Sequence, residues 1–235
     1  MPYTDISVDA LMITAELWTS APSATIMLEL LSHSNLRYPH KLLPYDHHFR
    51  LFSASCARRT GHLLTDKRSR IAIQTAELFA NGRASASTML ESYTNAEAAI
   101  QEHAAGYNSL SSIQQPSALH PTGVDEQILH GAAVLHAAAA AITCCSPDNT
   151  ITPLRGATAC AKYTTRALYW EQLAIGADTT LISELIDVEA QRQAHTLRIF
   201  LGNPFAPQTF PHMNLHSSTS MLQQGSGTPH YVNAA

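Results

Sequence analysis

Apolar residues recur at steps of three and four along most of the chain, and nowhere does a strand-like alternation last. The first predicted helix covers residues 8–18, where Leu11, Ile13, Leu17 and Trp18 set the spacing. The second covers 24–31, carried by Ile26, Leu28, Leu30 and Leu31. Residues 34–46 contain Pro39 and Pro44 and are expected to be loop. A helix over 47–64 follows, with Asp46 placed to cap it. Thr65 or Asp66 starts the next, and Asn81-Gly82, a pair suited to positive φ, closes it. A more polar helix over 85–105 ends at Gly106, and residues 107–123 are expected to be loop. Asp125 opens an alanine-rich helix that runs to Thr143 and stops before Ser146-Pro147-Asp148-Asn149. Two more are predicted near 157–175 and 180–201. The expected fold is all-α: a single irregular bundle of about seven helices over residues 1–202, then an extended tail over 203–235.

The tail differs in kind from the body. From Asn203 to Ala235 it has no Asp, Glu, Lys or Arg, yet it carries Phe205, Phe210, Met213, Leu215, Met221, Leu222 and Tyr231. Disordered tails are usually charged and poor in aromatics. This composition predicts a segment that packs on the body or on a partner.

Arginines stand where a core is expected. On the 47–64 helix, Phe52, Cys56, Arg59 and Leu63 form one stripe, and Leu51, Ser55, Arg58 and His62 form its neighbour. Arg59 cannot shed its charge. It requires Asp66 or Glu77 as an internal partner, an anion or partner's acidic group, or access to solvent. On the last helix Leu181, Leu185, Val188, Arg192, His195 and Ile199 step by four and three, so Arg192 and His195 interrupt an apolar stripe.

Size and composition narrow the class further. The chain has 235 residues, 45% of them hydrophobic, enough for a real core. Charged residues are only 14%, which suits a surface partly covered by something else. A net charge of −4 argues against nucleic acid as a partner. Residues 1–20 lack the basic start of an export signal, and the apolar run 131–142 is too short to span a bilayer. With no C-x-x-C among Cys56, Cys144, Cys145 and Cys160, a reduced cytoplasmic setting is expected.

Candidate chemistry is sparse. Glu126 and His130 lie one helical turn apart and could share a metal. No H-E-x-x-H, zinc-finger framework or Glu-x-x-His pair accompanies them. His47 and His48 are adjacent and are expected on different helix faces. The nucleophile-elbow and phosphate-loop signatures are missing. Cys56, near Arg58, Arg59 and His62, has neighbours that lower a thiol pKa, although a small core residue is the simpler reading. The sequence therefore names no catalytic residue, cofactor or metal.

Two segments carry a resemblance. Arg50-Leu51-Phe52, Cys56, Arg58-Arg59 and His62-Leu63-Leu64 are followed by Asp66, Arg68-Ser69-Arg70 and Ala76-Glu77; near the other end stands Leu197-Arg198-Ile199-Phe200-Leu201-Gly202-Asn203-Pro204-Phe205. Together they resemble an uncharacterised paralogous family of planctomycetes, associated with repeat-companion-domain proteins. Ala57 stands where that family has a second cysteine, Gly61 where it has tryptophan, and one residue is inserted between Phe200 and Gly202. The family's acidic helical C-terminus is replaced by the uncharged tail. The resemblance implies a helical fold and no reaction.

The expected function is that of a non-enzymatic helical interaction protein, an accessory or structural subunit of a larger assembly. Its expected partner-binding residues are Arg58, Arg59, Arg68, Arg70, Phe205, Phe210 and Met213. Two alternatives stand beside it. One is a metal- or cofactor-dependent enzyme using His62, His130 and His195. The other is a regulatory or immunity-type binder that grips an acidic partner with residues 58–70.

Overall fold

The computed structural model describes residues 15–37, 45–113, 126–148 and 150–205. They form eight α-helices and no strand: α1 (Ala15–Ser20), α2 (Ala24–Arg37), α3 (Asp46–Arg59), α4 (Lys67–Ala80), α5 (Ala86–Ile113), α6 (Glu126–Cys144), α7 (Pro153–Ala174) and α8 (Thr179–Leu201). A 3₁₀ turn, Gly61–Leu63, links α3 to α4. The chain divides into two units, residues 1–205 and 206–235, and the second lies outside the described residues.

Local chemistry explains most boundaries. Asp66 caps α4, accepting from the Arg68 amide at 2.7 Å, and Asp178 caps α8, accepting from the amides of Thr180 and Leu181. Gly82, at φ 68°, lets the chain leave α4 while the Arg83 amide reaches back to the Leu78 carbonyl. Asp46 does not cap α3. It is the first helical residue, and Tyr45 holds the cap position without a side-chain bond. Pro153 opens α7 four residues before the predicted start, since a first-turn proline loses no helical hydrogen bond. Helix α5 continues through Gly106 to Ile113 instead of stopping there.

At the centre is α6, which packs against α3, α4, α5 and α7. It is the one described helix long and apolar enough to cross a membrane, and here its apolar side chains line the core. Both helices bury small residues, Ala133, Ala137, Ala140, Ala141 and Cys144 on α6 and Gly156, Ala157, Cys160, Ala161 and Thr164 on α7, and the two pack together. Small side chains let the backbones approach closely, and the Cys160 thiol donates to the carbonyls of Ser53 on α3 and Ala140 on α6. Large side chains fill the flanks. Trp18, Met27, Leu28, Leu31, Phe49, Phe52 and Leu197 are all essentially inaccessible to solvent.

Trp18 joins the two ends of the described chain. Its indole N–H donates to the Gly202 carbonyl at 2.7 Å, and its ring meets Phe205 edge-on with centroids 5.8 Å apart. The Arg198 guanidinium completes the join by donating to the carbonyls of Trp18 and Ala21. The segment from Leu197 to Phe205 thus serves as a clasp on α1.

Candidate functional site

The arginines named from the sequence are met by acceptors of the chain itself. Arg58 pairs bidentately with Glu77 on α4. Arg68 bridges Asp66, at 2.8 Å, and Glu102 on α5. That double contact pulls both carboxyls below their ordinary values. Arg70 donates to the Leu64 carbonyl at 2.6 Å. Arg50, buried against the Phe79 ring, holds Asp148 and the Ser146 carbonyl. An acidic partner would have to displace these bonds to reach the guanidinium groups.

Arg59 has the longest reach. It pairs with neither Asp66 nor Glu77 but with Glu189 on α8, 130 residues away in sequence, its Nε lying 2.7 Å from both carboxylate oxygens. Glu189 is 2% exposed and Arg59 31%. The Gln193 amide donates to Glu189 at 2.9 Å and also to the Ala161 carbonyl and the Thr165 hydroxyl of α7. One polar cluster therefore ties α3, α7 and α8 together.

This cluster fixes which way α8 faces. The stripe read from the sequence lies on the outside, and the buried face is the one running through Ile182, Glu189, Gln193, Leu197 and Leu201. A guanidinium left half-buried without a counter-ion costs several kcal/mol, so α8 turns Glu189 inward. Leu181, Val188 and Ile199 are then left 56%, 44% and 66% exposed. Arg192 and His195 stand among them on the solvent side. Beside the stripe lies a recess of about 490 Å³ lined by Arg59, Leu168, Leu181, Leu185, Val188 and Arg192. Sequence reasoning missed Glu189, although a carboxylate seven residues after Ile182 and eight before Leu197 was the available signal.

The histidines do not gather. His62 bonds Glu171 at 2.8 Å on the exposed surface. His195 sits on the outer face of α8. His130 lines a wider cleft of about 840 Å³ between α5 and α6, with Glu102, His103, Tyr107, Glu126 and Gly131. Among the described residues no three His, Cys, Asp or Glu side chains stand close enough to share a metal ion. His47 and His48, expected on different faces, bring their rings to 3.7 Å. Burial and the neighbouring His47 lower the His48 pKa.

Cys56 has no activated thiol. It is buried, and desolvation raises its pKa well above the usual range despite Arg59 nearby. Desolvation acts the same way on Cys144 and Cys160, and pushes Cys145 up to about 12.

No protein-family model, curated protein or solved structure matches this chain. Of the other sequence-named positions, Phe205 packs against Trp18, while Phe210 and Met213 lie outside the described residues.

Proposed function

We propose that this protein is a non-enzymatic helical interaction protein, an accessory or structural subunit of a larger assembly, and that it docks through the outer face of α8. One observation carries the reading. Leu181, Val188 and Ile199 form an exposed apolar stripe on a helix whose opposite face is already packed into the core. Large apolar side chains left exposed along one line of a helix and rimmed by polar ones are what partner-binding faces offer. The recess beside it supplies the concavity in which an anchoring side chain of a partner is desolvated.

Affinity capture of the tagged full chain from native lysate tests this, with wild type beside a Val188→Glu/Ile199→Glu variant. Both sites are exposed, so the variant should keep its far-UV circular dichroism. The expected result is a stoichiometric partner, or a defined oligomer, that the variant loses. A variant that retains every stoichiometric association of the wild type overturns the assignment to α8.

The α5–α6 cleft favours a second reading, a metal- or cofactor-dependent enzyme. It gathers His103, Tyr107, Glu126 and His130 in a volume adequate for a small molecule. Stoichiometric metal or chromophore in natively purified protein, lost on His130→Ala, would move the assignment there.

A further inference from the structure

The exposed stripe of α8 has the spacing of a coiled-coil seam. Leu181, Leu185, Val188, Arg192, His195 and Ile199 follow steps of four, three, four, three and four, the heptad alternation of two helices that pack side by side. Surface helices of a monomer normally turn such a seam toward their own core. Here the core takes the adjacent stripe, and the seam faces outward.

Its charges choose the partner. Glu184 flanks the N-terminal half of the seam, and Arg192 and His195 lie in the C-terminal half. Among the described residues none of the three side chains is in an ion pair. A parallel copy would set Arg192 against Arg192 and Glu184 against Glu184, which is repulsive. An antiparallel copy crossing near Ala190 reverses the order. Leu181 then faces Ile199, Leu185 faces His195, Val188 faces Arg192, and Glu184 comes within a turn of both Arg192 and His195. The apolar ends of the seam and its charges of opposite sign are then matched under a two-fold axis, the condition for a closed dimer.

We infer that the occupant of the α8 face is a second copy of this chain, its α8 lying antiparallel across the first. The inference rests on the docking face proposed above and names its partner. The seam from Leu181 to Ile199 spans roughly 27 Å at 1.5 Å per residue. A single-helix contact of that length is small beside the roughly 800 Å² per partner of a standard interface, so the dimer is expected to be concentration-dependent.

Sedimentation velocity of the purified full chain, from about 5 to 500 μM, provides the test. Wild type should shift from the 25.5 kDa monomer toward twice that mass as concentration rises. Val188→Glu should stay monomeric throughout. Glu184→Arg and Arg192→Glu should each weaken the dimer about tenfold, a loss of about 1.4 kcal/mol. The double reversal should recover most of the affinity, which generic surface damage would not allow. A wild type monomeric at every concentration, or a dimer indifferent to Val188→Glu, overturns the inference. If wild type is monomeric while the α8 variant loses a different protein in the capture experiment, self-pairing fails and the docking face stands.

Discussion

Replacing Glu189 probes the link between α3 and α8 most directly. In Glu189→Ala, Arg59 keeps its charge and loses both carboxylate contacts, each 2.7 Å from its Nε. Removing one member of a fully buried ion pair costs about 3–5 kcal/mol. Arg59 is 31% exposed and keeps part of its hydration, which lowers the figure to about 2–3 kcal/mol. Gln193 loses one acceptor but retains the Ala161 carbonyl and the Thr165 hydroxyl, adding about 0.5–1 kcal/mol. The sum, about 3 kcal/mol, corresponds to a fall in Tm of roughly 6–12 °C for a chain of this size. Glu189→Gln, which keeps one acceptor and the shape, should lose roughly half as much. Arg59→Met/Glu189→Met removes both charges and should recover most of the stability lost by the single variant. Thermal unfolding followed by circular dichroism at 222 nm reads all three. If Glu189→Ala melts within about 1 °C of wild type, or the double variant is no better than the single, the pair does not set the orientation of α8.

Asp66→Ala should cost about 1 kcal/mol through the lost α4 cap. Arg68 holds the Asp66 carboxyl below its ordinary 3.8, so the stability it adds is fully present above that pH and is lost as pH falls beneath it. Wild type and variant should converge in acid, and a gap that persists there would refute the account. At Gly131, an added Cβ would stand 2.7 Å from the Tyr107 ring. Gly131→Ala should therefore destabilise by about 1 kcal/mol net, yet stabilise by about 1 kcal/mol in a Tyr107→Ala background. The same sign of effect in both backgrounds, measured by urea unfolding, would contradict the contact. All four cysteines are buried, with thiol pKa values raised by desolvation. A thiol reagent at pH 8 should label none within minutes in native protein and all four after denaturation; rapid native labelling would show that the α3–α6–α7 seam opens.

Much of the fold was legible because it depends on neighbours in sequence. Helical spacing located α2 to α8, Asp66 announced the start of α4, and Asn81-Gly82 its end. Where the reading failed, a local preference yielded to packing. Gly106 costs a helix interior about 1 kcal/mol, which α5 offsets by continuing to where Tyr107 lies on Gly131. The permanent charge of Arg59 calls for a partner, but its nearest carboxylates in sequence are committed elsewhere, Asp66 to Arg68 and Glu77 to Arg58.

The sequence by itself determined the class, the helices and the presence of two candidate stripes on α8, because periodicity and capping act over one or two turns. Which stripe faces the core was decided only in three dimensions. The outer stripe, Leu181, Leu185, Val188 and Ile199 with Arg192 and His195, is about as apolar as the inner face, Ile182, Ala194, Leu197 and Leu201 with Glu189 and Gln193, so burial of hydrocarbon alone does not choose between them. What distinguishes the inner face is that it brings a carboxylate, Glu189, to the permanent charge of Arg59 on α3. With the two apolar contributions nearly equal, that ion pair, worth about 2–3 kcal/mol, tips the choice and leaves Leu181, Val188 and Ile199 on the surface.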